Sequence, residues 1–245
     1  MVSAKDSQNI SPRSNELFNN QWTLYQKILN SNYMGHREIY DVLHQFFLSN
    51  FQKPFKMLEL GCGDATFTAK ALFDTSIVSY TGIDLSKAAL EIANVNMASI
   101  QCSKSFIEGD FSELVPELVK KQQDSFDVIL ISFALHHLLL EQKDDIIAQL
   151  FNLLDSNGVF ILIDVVRKPE EDRETYIRRY LDEVKKSWSL VTSEEYLMVD
   201  NHISSNDFPE TQQSLYFLGQ KHNFNRVECL YHDTLDTTQL LCFYR

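Results

Sequence analysis

The sequence predicts an α/β fold in which a parallel sheet is covered by helices on both faces. Three observations predict it. Short apolar runs recur along residues 55–166, and most are followed by a stretch with helical spacing. The runs FKMLEL, IVSYTGIDL, KSFIEGD, FDVILISF and GVFILIDVV read as near-continuous apolar strands rather than half-exposed ones, so both their faces are expected to be covered. The chain then closes on two further runs, RVECLYHD and QLLCFYR, joined by the short link DTLDT, which reads as an antiparallel hairpin.

The 245 residues suit one large α/β domain, or a core with an inserted cap. Apolar residues are 44% and charged residues 23% of the chain, enough for a core that needs no staples. Asp and Glu number 34 against 22 Lys and Arg, a formal net charge of −12. Such a balance repels phosphate backbones, so no nucleic-acid partner is expected. Cys62, Cys102, Cys229 and Cys242 form no CxxC pair, which argues against a zinc knuckle or a dithiol site. The polar start MVSAKDSQNISPRSNE lacks a signal-peptide pattern, and no apolar stretch approaches the ~18 residues of a membrane span. A cytoplasmic protein with no membrane partner is the expectation; the oligomeric state stays open.

In chain order, residues 1–14 are polar and expected to fray. Two helical stretches follow between Asn15 and Asn50. The second, REIYDVLHQFF, carries Ile39, Val42, Leu43 and Phe46 as an apolar stripe. Residues 1–50 are read as an N-terminal helical lid, and residues 51–245 as the core domain. After the first strand, Asp64 is a plausible helix N-cap, and Ser86 caps the helix after the second. The third helix, FSELVPELVKK, tolerates Pro116 only in its first turn. Residues 167–208 break the alternation with helical spacing and no strand, and read as an inserted substrate cap. Within it NHISSNDFPET reads as a polar loop before a helix started by a proline, with Ser205, Asn206 and Asp207 as cap material.

The strongest local signal is LELGCGDAT, residues 58–66. Gly61 and Gly63 follow a strand and open a helix, where glycine allows a tight turn and close approach of a ligand to backbone N–H groups. Asp84 ends the second strand, where a carboxylate accepts hydrogen bonds from two ribose hydroxyls. Asp110 ends the third, where an adenine edge would lie. Ligands of open α/β sheets bind outside the carboxyl ends of the strands, so these three strand ends face one crevice. Glu59 and Asp84 also have a plainer reading, as caps of neighbouring helices. A dinucleotide fingerprint wants a third glycine at position 66, and Thr66 stands there.

Glu59-x-Gly61-x-Gly63 resembles motif I of the class I methyltransferases that use S-adenosylmethionine (AdoMet). GIDLS, EGDF, FDVILISFALHHL and LLDSNGVFILID resemble that family's later motifs. The resemblance spans about residues 55–165 and the terminal hairpin. It implies a Rossmann-like fold with a seven-stranded sheet in the order 3-2-1-4-5-7-6, strand 7 antiparallel, and a helical cap inserted after strand 5. It implies AdoMet as cofactor and S-adenosylhomocysteine as product. Gly61 and Gly63 would pass close to the amino-acid portion, with Glu59 holding that end. Asp84 would bind the ribose, Leu85 would pack on the adenine, and Asp110 with Phe111 would recognise it. Cys62 lies in the same loop, more a small filler than a nucleophile, since nothing near it in sequence supplies a base. Arg37 is a candidate for a carboxylate on the cofactor side, with Tyr33 and His36 beside it.

Methyl transfer is a displacement at carbon, so alignment and proton removal are the protein's tasks. The residues after strand 4 would sit beside the sulfonium: Phe133 against the cofactor, His136 or His137 as a base titrating near neutral pH. Some phosphoethanolamine N-methyltransferases carry a catalytic histidine in an ILH context similar to Leu135-His136. His202, in the cap, is a further candidate for substrate contact. No metal is expected: strand 4 ends in Ser-Phe rather than an acid, and Asp164 stands alone on strand 5. The leading expectation is methyl transfer to an O or N atom of a small molecule. A protein or RNA substrate, or a non-catalytic AdoMet-binding role, remain the alternatives.

Overall fold

The computed structural model describes residues 23–121 and 125–245. Residues 15–22 of the first expected helical stretch lie outside the described residues; residues 23–30 are helical. The core is one sheet. Its parallel strands are β1 (Phe55–Leu60), β2 (Ile77–Asp84), β3 (Ser103–Glu108), β4 (Phe126–Ser132) and β5 (Leu154–Arg167). A two-residue strand, β6 (Glu210–Thr211), pairs in parallel with the end of β5 and was not expected. The chain ends in the hairpin β7 (Arg226–His232) and β8 (Thr238–Tyr244), with β8 antiparallel to β5. The sheet order is β3-β2-β1-β4-β5-β8-β7, the order the resemblance implies once β6 is set aside.

Side chains along a strand point alternately to the two faces, and the two cores follow that alternation. Met57, Tyr80, Val128, Leu130, Ile161 and Leu240 face one layer of helices. That layer holds α1 (His36–Asn50), α2 (Thr66–Leu72) and α3 (Lys87–Asn96). Leu58, Ile83, Ile129, Ile131, Leu162 and Leu241 face the other. There lie α4 (Phe111–Lys121), α5 (Leu140–Leu153) and α8 (Gln212–Lys221). Between β5 and β6 sit α6 (Arg173–Ser187) and α7 (Ser193–Asn206). Their apolar residues Tyr176, Leu181, Trp188, Val199 and Ile203 form a third cluster with Leu24 and Val165.

Several local expectations are corrected. Residues 36–50 are no lid: Ile39, Leu43 and Phe47 of α1 are fully buried in the first core. The N-cap of α2 is Ala65 in a left-handed conformation, although Asp64 Oδ1 still accepts the Thr66 N–H at 3.0 Å. Pro116 lies in the interior of α4, beyond its first turn. An interior proline costs ~3 kcal/mol, a cost met here by Val115, Leu114 and Leu118 packing into the second core. NHISSNDF is not a loop. Residues 201–206 continue α7, held by the Thr192–Glu195 capping box and the buried Val199 and Ile203. The cap of the next helix is Thr211, not Ser205, Asn206 or Asp207. Among the described residues no helix is long and apolar enough to cross a membrane.

Candidate active site

The loop after β1 is fixed to β2 by backbone and side chain together. Gly61 and Cys62 donate their N–H groups to the Ile83 carbonyl at 2.8 and 3.0 Å. Gly63 donates to Asp84 Oδ2 at 2.8 Å, and Ser86 to Asp84 Oδ1 at 2.8 Å. Both glycines have φ in the left-handed region, 71° and 51°, where a side chain is strained. Gly61 has a second reason: a Cβ there would stand 2.8 Å from that of Ala134. The loop is thereby held open as a cradle between β2 and β4. Asn96 braces it from α3, donating to the Asp64 carbonyl and to Thr66.

Asp84 ends β2 beside the loop. It caps its neighbours, yet each carboxylate oxygen accepts one backbone N–H and keeps a lone pair. Beside it Leu85 is 71% exposed at the end of β2, an apolar platform at the sheet edge. Asp110 and Phe111 follow β3, with Asp110 Oδ1 accepting the Ser112 N–H at 2.8 Å. On the other side of the cradle Phe133 has φ 50°, and its N–H donates to the Ile163 carbonyl at 2.7 Å. The ends of β3, β2, β1 and β4 thus align Asp110, Phe111, Asp84, Leu85, Gly61, Gly63 and Phe133 along one crevice.

Glu59 is buried behind the cradle. Its carboxylate accepts from Thr68 Oγ1 at 2.7 Å and from the Tyr80 hydroxyl at 2.5 Å. Burial pushes its pKa up to about 7, against the pull of those two hydrogen bonds. Cys62 is buried against Gly82 and Tyr80, and its burial raises the thiol far above the usual range. It is a filler, as the sequence suggests, because only a thiolate is an effective nucleophile.

Arg37 does not reach the crevice. It is exposed, and its guanidinium donates to the Asn30 carbonyl at 2.8 Å. The inward neighbour is His36. Its ring is buried, 4.7 Å from Phe133 and 5.0 Å from Phe67, and Nδ1 has no hydrogen-bond partner. Burial lowers its pKa to about 4, so the ring is neutral. Sequence reasoning undervalued His36 because HREIY gives no sign of which neighbour turns inward. It missed Tyr25, whose hydroxyl lies 3.7 Å from where a Cβ on Gly63 would stand. It also missed Gln26, which donates to Asp64 Oδ2 at 3.0 Å.

His136, His137 and His202 are brought together where the cap joins the core. His136 is the buried one, with Nδ1 2.5 Å from Asp164 Oδ1 and its backbone N–H on Asp164 Oδ2. Burial opposes its protonation, but Asp164 outweighs this and raises its pKa. His137 is half-exposed, and all three rings gather around Asp207. Tyr33 stacks on Trp188 at 5.0 Å, and its hydroxyl accepts the Leu190 N–H.

The crevice fits AdoMet on its own geometry: a glycine cradle at the strand ends, a carboxylate with two outward lone pairs, an apolar platform and acidic surroundings for a cationic ligand. A family model described as a methyltransferase domain matches residues 58–160. An uncharacterised methyltransferase of Halobacillus halophilus is 27% identical over 197 residues, covering 71% of this chain and 86% of that protein. Two solved structures share the fold. The plantazolicin methyltransferase in complex with S-adenosylhomocysteine is 16% identical, covers 96% of this chain and 91% of that one, and has a TM-score of 0.61. The Synechocystis magnesium protoporphyrin IX methyltransferase with the same bound product is 15% identical, covers 86% and 84%, and has a TM-score of 0.59. The matched family model, the methyltransferase relatives and the shared fold together support a class I AdoMet-dependent methyltransferase with AdoMet as its methyl donor.

Proposed function

We propose that this methyltransferase transfers its methyl group to an oxygen or nitrogen atom of a small molecule that also carries a positive charge. The observation that supports it is a cavity of about 280 Å³ under the cap. Tyr33, Tyr180, Trp188 and Tyr231 give it aromatic walls, and Glu38, Glu183 and Asp233 give it carboxylates, while among the described residues no Lys or Arg lines it. Aromatic faces and carboxylates together favour a cation. The cavity reaches Gly35, next to His36, and Tyr33 and Met34 share an apolar cluster with Phe133. In this reading the cationic group lodges in the cavity and the reacting atom lies against Phe133. Residues 23–35 are the lid, and 167–208 the cap that excludes water.

AdoMet supplies an activated methyl group on a sulfonium. The protein aligns the acceptor in line with it and removes a proton where one is lost. His36, neutral and with Nδ1 unpartnered, takes the hydrogen bond from the acceptor's O–H or N–H. That role replaces the one expected of His136 and His137, whose nitrogens face carboxylates. Cradle residues Glu59, Asp84, Leu85, Asp110 and Phe111 hold the cofactor, with Tyr25 closing over Gly63.

The test is S-adenosylhomocysteine formation from a metabolite extract split by cation exchange. Turnover is expected in the retained, cationic fraction. It should fall ~10²–10⁴-fold in His36→Phe, the usual worth of a positioned proton acceptor. Turnover confined to the anionic fraction would overturn the substrate class, and full activity in His36→Phe would remove that residue from the mechanism.

A further inference from the structure

Three imidazoles and one carboxylate meet where the cap joins the core. His136 and His137 form the turn after β4, Asp207 ends α7, and His202 lies in the last turns of α7. Asp207 Oδ1 stands 3.6 Å from His136 Nε2, 3.4 Å from His137 Nδ1 and 4.0 Å from His202 Nε2. Asp207 is only 6% exposed, and its Oδ1 accepts no hydrogen bond. A buried anionic oxygen left without a donor is costly, ~1–3 kcal/mol or more. The neighbouring cations are engaged elsewhere: Arg173 donates to the backbone carbonyls of Asp207 and Ser204, and Lys143 is bound to Glu210 and to the Phe208 carbonyl.

Two of these spacings, 3.6 Å to His136 and 3.4 Å to His137, are those of a coordination shell. Ligands bound tetrahedrally at ~2.0–2.2 Å stand ~3.3–3.6 Å from one another. Donor atoms of His136, His137 and Asp207 all lie within 4.8 Å of one another. Asp164 accepts from His136 Nδ1, which fixes the tautomer and leaves the Nε2 lone pair for the ion. Imidazoles with one carboxylate suit zinc-class ions, whereas calcium and magnesium prefer oxygen alone.

We propose that His136 Nε2, His137 Nδ1 and Asp207 Oδ1 bind a divalent transition metal ion of the zinc type, with His202 closing the fourth position. His137 Nδ1 donates to the Asn206 carbonyl at 3.2 Å. The ion takes the place of that proton, which moves to Nε2 by a change of tautomer. His202 is the exposed member and swings in by a side-chain rotation. The site joins the end of α7 to the ends of β4 and β5, and so staples the cap to the sheet beside the substrate cavity. A search for acids after strands 4 and 5 passes over it, since the donors come from a histidine pair and the end of a cap helix.

The experiment is a zinc titration of chelator-treated full-length protein against a chromophoric chelator, paired with cobalt(II) absorption. Binding of one equivalent is expected, with the intense visible bands of tetrahedral cobalt. His137→Ala and Asp207→Asn should each weaken zinc at least ~10-fold, the scale seen even for residues that only orient ligands. S-adenosylhomocysteine binding reports that each variant is folded, because the cradle shares none of these residues. His137 is half-exposed, so its variant tests the site even where Asp207→Asn fails to fold. The assignment is overturned if zinc does not bind, if cobalt keeps the weak spectrum of the aqua ion, or if folded His137→Ala binds zinc as tightly as the parent.

Discussion

Glu59 and His36 are buried on either side of the cradle, and burial shifts them in opposite directions. Glu59 is raised from the ordinary 4.5 to about 7, and His36 lowered from 6.5 to about 4. In both, burial favours the neutral form, but their effects on stability have opposite signs. Folded Glu59 binds its proton more tightly than the unfolded chain does, so its contribution is full below pH 4.5 and is lost as pH rises through about 7. Folded His36 binds its proton more weakly, so its contribution is full above pH 6.5 and is lost as pH falls towards about 4. Around Glu59 stand Tyr80 and Thr68 as donors, with Asp84 and Asp64 as further negative charges. Glu59→Gln keeps a partner for both hydroxyls and removes the titration. The variant should therefore gain on the parent protein as pH rises from 4.5 to 7, by roughly 3 kcal/mol at ~1.36 kcal/mol per pH unit. Urea unfolding of both proteins without cofactor at pH 5 and pH 7.5 measures it. A stability difference that stays constant between the two pH values would show that Glu59 is ionised in the fold.

At the level of elements, the cap is where sequence and structure part company. The five parallel strands and the hairpin are legible because buried strands leave unbroken apolar runs, and α2 and α3 because a glycine loop or Ser86 announces them. The cradle is legible for the same local reason: Gly61, Gly63, Asp84 and Asp110 are set by strand ends. The cap is not. Residues 201–206 are polar turn formers, yet they are helical because Val199 and Ile203 pack on Trp188 and Tyr176. Which of His36 and Arg37 turns inward depends on Phe67 and Phe133, distant in sequence. Trp188 is the centre of this packing, stacked on Tyr33 at 5.0 Å and edge-on to Tyr180 at 6.4 Å. Trp188→Ala should cost about 3–5 kcal/mol, the usual range for deleting a buried tryptophan. Because these contacts belong to the cap cluster and not to either sheet core, the loss should open the cap before the sheet. Limited proteolysis should cut between 168 and 208 in the variant while the core fragment survives, and Trp188→Phe should restore much of the resistance. Cleavage unchanged from the parent would show that the cap does not depend on this stack.

For the whole molecule, the cradle joins elements far apart in sequence, so cofactor binding should stabilise all of them together. Its contacts come from the ends of β1, β2, β3 and β4, and Gln26 on Asp64 ties in the segment before them. A ligand that binds only the folded state adds ~2.7 kcal/mol at a hundred times its Kd. For a domain of about this size each kcal/mol raises Tm by ~2–4 °C, so S-adenosylhomocysteine should raise Tm by roughly 5–11 °C. Asp84→Ala removes two acceptor oxygens from the ribose site, and charge-assisted hydrogen bonds are worth ~1.5–3 kcal/mol each before water compensates. Its affinity should fall at least tenfold, which trims the shift by about 1.4 kcal/mol, or roughly 3–5 °C at the same ligand concentration. NAD should give no shift, and the reason lies at the start of α2. A dinucleotide places its diphosphate on free N–H groups at a helix N-terminus. Here Asp64 Oδ1 already accepts the Thr66 N–H at 3.0 Å, so a carboxylate stands where the diphosphate would go. The net charge of −12 adds repulsion at longer range. AdoMet has no phosphate and carries a positive sulfonium, so the same charges favour it. Thermal unfolding with each ligand at matched concentration separates the two cases. A shift with NAD comparable to that with S-adenosylhomocysteine would show that Asp64 yields the helix terminus and that the cradle is not selective.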